Sequence, residues 1–529
     1  MSSQNDRKNA LLSSLPGEEG RGGVGLSRRE FIQAAGGLTF LSLIPIAGGV
    51  FAASADGKHI DADLPVFIAL PYLQPGPSSE LIDGQETVIL AWKTDGVPAN
   101  FEVTYGPEHG ASTSASIGKT GRIGGKGEID SVNDYAATMS GLTLASKYRY
   151  SVTANGSKIA EGVFTTRKRR GMPTRFVAFG DNSYGEIGQR AIAYYAYETK
   201  PDFVMNTGDN VYESGLDNEY ARYFFPVYNA EFAHPSMGAP LLRAVPFYTV
   251  IANHDVHGKD ANGHPCADFD KTPDALGYYT NMHLPMNGPS TPAFPTPISG
   301  ADDVLAAFKT SAGDRYPRMA NYSFDYGDAH FLCLDSNVYI DPTDPALQSW
   351  IADDLSKTNA LWKFVVYHHP AFNVGDEHYK EQQMRVLCPI FEQHGVDFVL
   401  SGHEHVYQRT RPIRFAAKDE SGAKMLGKGN RHVPGTFTVD HDFDGAKVTH
   451  AAGIIHIGTG AGGKHLYDPG FDDDQSKWLH EEDENIAYVD RFHSRHHSFT
   501  AFDIDGRTLK LRQIDELGRT VDSITVTKA

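Results

Sequence analysis

The chain lacks most of what would tie it to disulfides, nucleic acid or a bilayer. Three of 529 residues are cysteine (Cys266, Cys333 and Cys388), and no two form a CxxC pair. At most one disulfide is possible, and a thiolate zinc site is not expected. Cys333 sits in a strand-like run, His330–Asp335, and reads as a small core residue. Basic residues are outnumbered, 48 Lys and Arg against 66 Asp and Glu, for a net charge of -18. That balance argues against nucleic acid or an anionic membrane as the main partner. It leaves open a small phosphorylated substrate, because bound cations reverse the field locally. Beyond the N-terminus no apolar run is long enough to cross a bilayer. No internal repeat is evident. What remains is an ordinary globular composition, 40% hydrophobic and 22% charged, in a chain long enough for two or more domains.

The N-terminus reads as a targeting segment. Ser27-Arg28-Arg29-Glu30-Phe31-Ile32 has the twin-arginine pattern, followed by a weakly apolar stretch from Ala34 to Phe51 that contains four glycines and Pro45. Ala53-Ser54-Ala55 offers a small-x-small cleavage site, so residues 1–55 are expected to be a signal peptide handed to the twin-arginine export machinery. The competing reading is an uncleaved anchor of marginal length. Export of a folded chain suits an enzyme that loads metals before leaving the cytoplasm. A periplasmic or extracellular location follows.

Residues 60–166 alternate apolar and polar side chains in short runs (Thr87–Trp92, Asn100–Tyr105, Tyr135–Met139, Lys147–Thr153) separated by turn residues, as in an all-β sandwich. Trp92 and Tyr148 are expected in its core and at a corner. Arg167-Lys-Arg-Arg170 before Gly171 and Pro173 reads as a solvated basic linker, 167–173; it lacks the aromatic interleaving of a nucleic-acid patch. From 174 to 515 strand-like runs alternate with helical patterns such as Ala346–Asn359 and Lys380–His394, which indicates a layered α/β domain; 516–529 is left as a C-terminal tail. Two irregular stretches, 256–320 and 415–448, follow candidate site residues and are expected to wall a cleft.

Within 174–515, five apolar runs each stop at a residue type that binds metal. They are Arg175–Asp181, Pro201–Asp209, Val245–His254, Trp362–His368 and Val396–His405. Ligands at the carboxyl ends of several strands converge on one edge of a sheet, where open α/β folds keep their sites. A carboxylate such as Asp209 can bridge two cations, and Tyr212 lies three residues on in the same turn. Phenolate and carboxylate are hard anionic donors, whereas imidazole suits zinc or ferrous iron. The mixture suits two unlike ions roughly 3.5–4 Å apart, which clamp an in-line displacement at phosphorus. Gly458-Thr-Gly-Ala-Gly-Gly463 is not followed by Lys-Ser/Thr and reads as a tight strand exit, not a phosphate loop.

In order and spacing these motifs resemble the purple acid phosphatase branch of the calcineurin-like metallophosphoesterases. The motifs are Asp181-Asn-Ser183, Gly208-Asp-Asn-Val-Tyr212, Ala252-Asn-His-Asp255, Val365-Val-Tyr-His368 and Gly402-His-Glu-His405. The N-terminal segment resembles the fibronectin type III-like domain of larger members. The resemblance implies an all-β sandwich followed by a layered α/β domain of two β-sheets flanked by helices. It implies that Asp181, Tyr212 and His405 hold Fe(III), that Asp209 bridges, and that Asn253, His368 and His403 hold a divalent ion (Fe, Zn or Mn). It implies a phosphomonoesterase working by in-line attack of a metal-bound hydroxide, with His254 facing the substrate phosphate or leaving oxygen.

His368 is preferred to His369 because the family ligand stands two residues before Pro370. Ser183 and Ala252 replace family glycines and affect only the tightness of two turns. A larger departure is Glu377-His378, where plant members carry a substrate-contacting His-His pair. His378 is expected to serve as general acid beside Glu377, whose charge favours diesters or substrates with a basic group; the plain alternative is two solvated loop residues. Two other readings stay in view: a phosphodiesterase or nucleotide-directed hydrolase on the same site, and a secreted binding protein with a vestigial site. Oligomeric state is not legible.

Overall fold

The computed structural model describes residues 64–529 except 82–83, 124–130, 257, 261–263, 290–291, 427–429, 469, 473 and 480–487. The twin-arginine segment and its cleavage site lie outside the described residues. No helix among the described residues is long and apolar enough to cross a membrane.

The alternating runs of the N-terminal segment form two four-stranded sheets. One is ordered Phe67–Gln74, Gln85–Asp95, Ser131–Thr143, Ser116–Ile123; the other Thr113–Ser114, Phe101–Pro107, Lys147–Ala154, Ser157–Thr165. All neighbours are antiparallel. Period-2 patterning puts one face of each sheet into a shared core, where Trp92 stacks on Tyr135 at 5.2 Å. Tyr148 holds a corner by accepting the Thr143 N–H at 2.9 Å.

The next domain stacks two mixed sheets. A six-stranded sheet runs Phe247–Thr249, Phe203–Asn206, Thr174–Phe179, Ser498–Asp505, Thr508–Asp515, Thr520–Thr527. A seven-stranded sheet runs Tyr322–Tyr326, Ala329–Cys333, Trp362–Val366, Phe398–Ser401, Ile455–Thr459, Tyr407–Thr410, Val489–His493. Between them lies a layer of phenylalanines: Phe176 meets Phe331 and Phe364 edge-on at 5.2 and 5.3 Å, and Phe364 meets Phe502 at 5.6 Å. Each such ring contributes roughly 1.5–3 kcal/mol by burial. The helix Ile187–Glu198 covers the outer face of the first sheet through Ile192, Ala193 and Ala196. The helices Pro345–Lys357 and Cys388–Gln393 cover the second through Ile351, Leu355 and Phe391. The helical pattern over Lys380–His394 is realised only in part: a 3₁₀ turn, Gln383–Leu387, precedes the short helix, in which Pro389 occupies a first-turn position that lacks an N–H requirement.

Two expectations need correction. Arg167 is not solvated: it is buried, its Nε lies 2.6 Å from Glu86 Oε2, and its Nη1 donates to the carbonyls of Ser79 and Asp325. The C-terminal tail contains a strand, Thr520–Thr527, antiparallel to Thr508–Asp515 and burying Asp522, Ile524 and Val526.

A buried histidine ties the edge of the seven-stranded sheet to a helix. His330 Nδ1 lies 2.8 Å from Asp325 Oδ1, and its Nε2 lies 2.8 Å from Asp354 Oδ2. Burial lowers this imidazole, but the hydrogen bonds to Asp325 and Asp354 outweigh it and hold the group at about 9. Because the folded value is raised, the stabilisation is complete below the ordinary histidine value near 6.5 and lost as pH rises through about 9. Urea titrations of wild type and His330→Gln between pH 6 and pH 10 are expected to converge at the alkaline end, after a gap of about 3 kcal/mol near pH 6. A pH-independent gap would reject the imidazolium.

Candidate metal centre

The strands Thr174–Phe179, Phe203–Asn206 and Phe247–Thr249 are parallel and adjacent, as are Trp362–Val366 and Phe398–Ser401 in the other sheet. Asp181, Asp209, Asn253, His368 and His403 all follow the carboxyl ends of these strands, so both sheets deliver ligands to one edge. The chain leaves three of the strands through strained turns: Asp181, Asp209 and His403 have φ of +56°, +48° and +68°. Non-glycine residues adopt this left-handed conformation only where surroundings enforce it. Close approach enforces glycine at Gly402, where a Cβ would sit 2.5 Å from Asp181 Oδ2.

Tyr212 is the hub of the first half of the site. Its Oη lies 3.0 Å from Asp181 Oδ1, 3.1 Å from Asp209 Oδ2 and 3.1 Å from His405 Nε2. His405 donates its Nδ1–H to the His465 carbonyl at 2.8 Å, so Nε2 presents a lone pair. Four acceptor-type atoms therefore face one another around a single phenolic proton. Burial, Asp181 and Asp209 push the Tyr212 phenol well above its ordinary value. A cation among these atoms would satisfy all four and favour the phenolate.

The second half centres on Asp209, His368 and His403, whose donor atoms lie within 4.8 Å of one another. His368 Nδ1–H donates to the Thr207 carbonyl at 2.9 Å, which turns Nε2 inward. That nitrogen lies 3.3 Å from Asp209 Oδ2 but makes no hydrogen bond, and Asn253 Oδ1 is likewise buried without a partner. Unpaired buried polar atoms are costly unless something binds them. Burial lowers the His368 imidazole, yet Asp209 and Asp181 hold it at about 9, which shows how strongly the cluster attracts positive charge. Burial raises Asp209, but His368 and His254 hold it well below the usual carboxylate range. The donor set fits two cations sharing Asp209.

Residues 175–407 match the family model for calcineurin-like phosphoesterases. The chain is 24% identical over 264 residues to purple acid phosphatase 17 of Arabidopsis thaliana, covering 48% of this chain and 70% of that protein. In fold it is similar to the purple acid phosphatase PPD1 from yellow lupin seeds (TM-score 0.58, 16% identity, 86% of this chain and 74% of that one). It is also similar to PhoD (TM-score 0.53, 15% identity, 89% and 94%). The chain is a metal-dependent phosphoester hydrolase whose residues 175–407 are similar to calcineurin-like phosphoesterases.

Around that phosphoesterase site, His254 is part-exposed. Its backbone N–H donates to Asp209 Oδ1 at 2.8 Å, and its Nδ1–H donates to the Glu213 carbonyl at 2.7 Å. His378 lies at the other side, its ring 3.7 Å from that of His403. The carboxylate that faces His378 is Glu381, 3.4 Å from its Nδ1, and not the expected Glu377, which is exposed. His369 is buried, with Nδ1 3.0 Å from Ser336 Oγ. The glycine-rich exit after Ile455–Thr459 packs on the site: a Cβ on Gly460 would sit 2.7 Å from Asp181 Oδ2. It also delivers Lys464, a buried cation 4.6 Å from the Tyr212 ring and paired with Glu213. Sequence reasoning missed Glu381, Lys464 and Tyr467, which stacks on His405 at 4.1 Å. Only the spacing of Glu381 from His378, one helical turn, offered a signal.

Proposed function

We propose that the chain is an exported, purple acid phosphatase-like enzyme that hydrolyses phosphomonoesters at a pair of metal ions. The observation that carries this reading is the Tyr212 hub beside the Asp209–His368–His403 cluster. Asp181, Tyr212 and His405 would hold Fe(III), Asp209 would bridge, and Asn253, His368 and His403 would hold a divalent ion (Fe, Zn or Mn). When bound, the pair supplies Lewis-acid activation of water and charge neutralisation at phosphorus. The chain contributes position and protons. His254, anchored through its Nδ1–H on the Glu213 carbonyl, would donate from Nε2 to a phosphate or leaving oxygen as the imidazolium. His378 supplies a second proton donor at the His403 side. The twin-arginine segment supports export, and the N-terminal sandwich is read as the fibronectin type III-like module of larger relatives.

A second reading, a phosphodiesterase, is favoured by one feature: Glu381 places extra negative charge at the edge of the site, which disfavours a dianionic monoester. Purified protein loaded with metal is expected to show larger kcat/KM on an aryl phosphate than on the bis-aryl diester, and the reverse order would establish the second reading. The loaded protein is expected to be purple through a Tyr212–Fe(III) charge-transfer band. A colourless, fully active enzyme with two identical divalent ions would overturn the unlike-ion assignment.

A further inference from the structure

Glu381 stands on irregular chain between His378 and the 3₁₀ turn Gln383–Leu387, and its carboxylate faces three imidazoles. Oε2 lies 3.1 Å from His403 Nε2 and 3.9 Å from His369 Nε2; Oε1 lies 3.4 Å from His378 Nδ1. The donor atoms of His369, Glu381 and His403 lie within 4.8 Å of one another, so two clusters, this one and Asp209–His368–His403, share His403.

Proton positions decide what the shared cluster does. Ser336 Oγ accepts two backbone N–H groups, from His368 at 3.1 Å and His369 at 3.0 Å. Its single hydroxyl proton is then directed to His369 Nδ1, 3.0 Å away. With Nδ1 accepting, the proton of neutral His369 sits on Nε2, the nitrogen turned toward Glu381. The His369–Glu381–His403 triangle therefore presents N–H groups to a carboxylate, and a cation would meet a hydrogen where it needs a lone pair.

His403 is held in the same way. Its backbone N–H donates to Asp181 at 3.0 Å, and the His378 ring covers its face at 3.7 Å, so the imidazole has little freedom to swing. With Nε2 facing Glu381, Nδ1 is the nitrogen left for the cluster with Asp209 and His368. We infer that Glu381 is a positioning residue: it accepts the His403 Nε2–H and so fixes the tautomer whose Nδ1 lone pair binds the divalent ion. This rests on the metal-site reading above. A carboxylate behind a ligating imidazole both orients the ring and raises its basicity, and its loss costs roughly 10–100-fold in metal affinity.

The test uses the full chain with Zn(II) alone, reading bound equivalents by atomic absorption and apparent Kd by competition with a chromophoric chelator. Glu381→Ala is expected to lose roughly 10–100-fold in affinity at one of two sites and retain the other. Glu381→Gln keeps an oxygen to accept the Nε2–H and is expected to stay close to wild type; far- and near-ultraviolet circular dichroism of the metal-free forms verifies the fold. Wild-type affinity in Glu381→Ala would overturn the inference while leaving the metal centre intact. A Gln variant as weak as the Ala variant would also overturn it, by showing that the charge of the carboxylate and not its acceptor oxygen supports the site. A wild-type chain that takes up no Zn(II) would overturn both.

Discussion

Asp209→Asn is expected to lower kcat by on the order of 10³-fold, equivalent to about 4 kcal/mol of transition-state stabilisation. The substitution preserves shape, since the new amide oxygen can still accept the His254 N–H that Asp209 Oδ1 takes at 2.8 Å. What it removes is a negative charge that faces both halves of the site, 3.1 Å from Tyr212 Oη and 3.3 Å from His368 Nε2. A trivalent and a divalent cation about 4 Å apart repel by roughly 25 kcal/mol at an effective dielectric near 20, and a bridging carboxylate offsets part of that. Metal analysis of Asp209→Asn should therefore find a deficit of one ion per chain, with circular dichroism unchanged. Wild-type turnover with both ions retained would refute the bridging role; a wild-type protein that holds no transition metal, with activity unchanged in Asp209→Asn, would revive the binding-protein reading.

That prediction was legible in the sequence because of how parallel strands are written. A strand buried on both faces is a continuous apolar run, so Arg175–Phe179 or Trp362–Val366 is visible without periodicity, and the ligand stands out where the run stops. The sheet then aligns the stops: Phe179 pairs with Asn206, and Asn206 with Thr249, which brings Asp181, Asp209 and Asn253 to one level. The supporting residues had no such frame. Glu381 and Lys464 reside on irregular chain, where neither period 2 nor period 3.6 fixes a direction, and Glu377 was the nearer carboxylate in sequence though not in space. Arg167 misled for the opposite reason. A run of four basic residues suggests solvent, yet only the partner, Glu86 on a distant strand, decides that the first of them is buried. The last strand, Thr520–Thr527, does alternate, with Asp522 buried beside Ile524 and Val526. An acidic residue in an inward position disguised it. Asp522 is paid for by Arg409 and Tyr407, whose Nε and Oη donate to its Oδ2 at 2.7 Å each.

Lys93→Met is expected to cost about 3–5 kcal/mol of unfolding free energy while leaving kcat at 25 °C near wild type. Lys93 belongs to the sandwich strand Gln85–Asp95, and its side chain is 2% exposed. Its Nζ lies 2.5 Å from Asp134 Oδ1 within the sandwich and 2.9 Å from Asp217 Oδ1 in the phosphoesterase domain. Ser311 donates to Asp134 at 3.2 Å and Asn281 to Asp217 at 2.8 Å, so neutral donors from the phosphoesterase domain complete the cluster. One ammonium thus bridges two carboxylates at a buried junction, and methionine fills its volume while removing the charge that both acids face. The asymmetry of buried ion pairs makes the sign secure: removing one partner strands the others, whereas replacing all of them need not. Lys93→Met/Asp134→Asn/Asp217→Asn is therefore expected to recover most of the loss, a non-additivity that a urea-unfolding mutant cycle measures directly. Additive losses across the three positions would show that each contributes alone and that no charge cluster joins the two domains. A kcat that fell with Lys93→Met would place the junction in control of the site: Asp217 lies five residues beyond Tyr212, and Gly277, whose N–H donates to the Gly215 carbonyl at 2.8 Å, packs behind that segment.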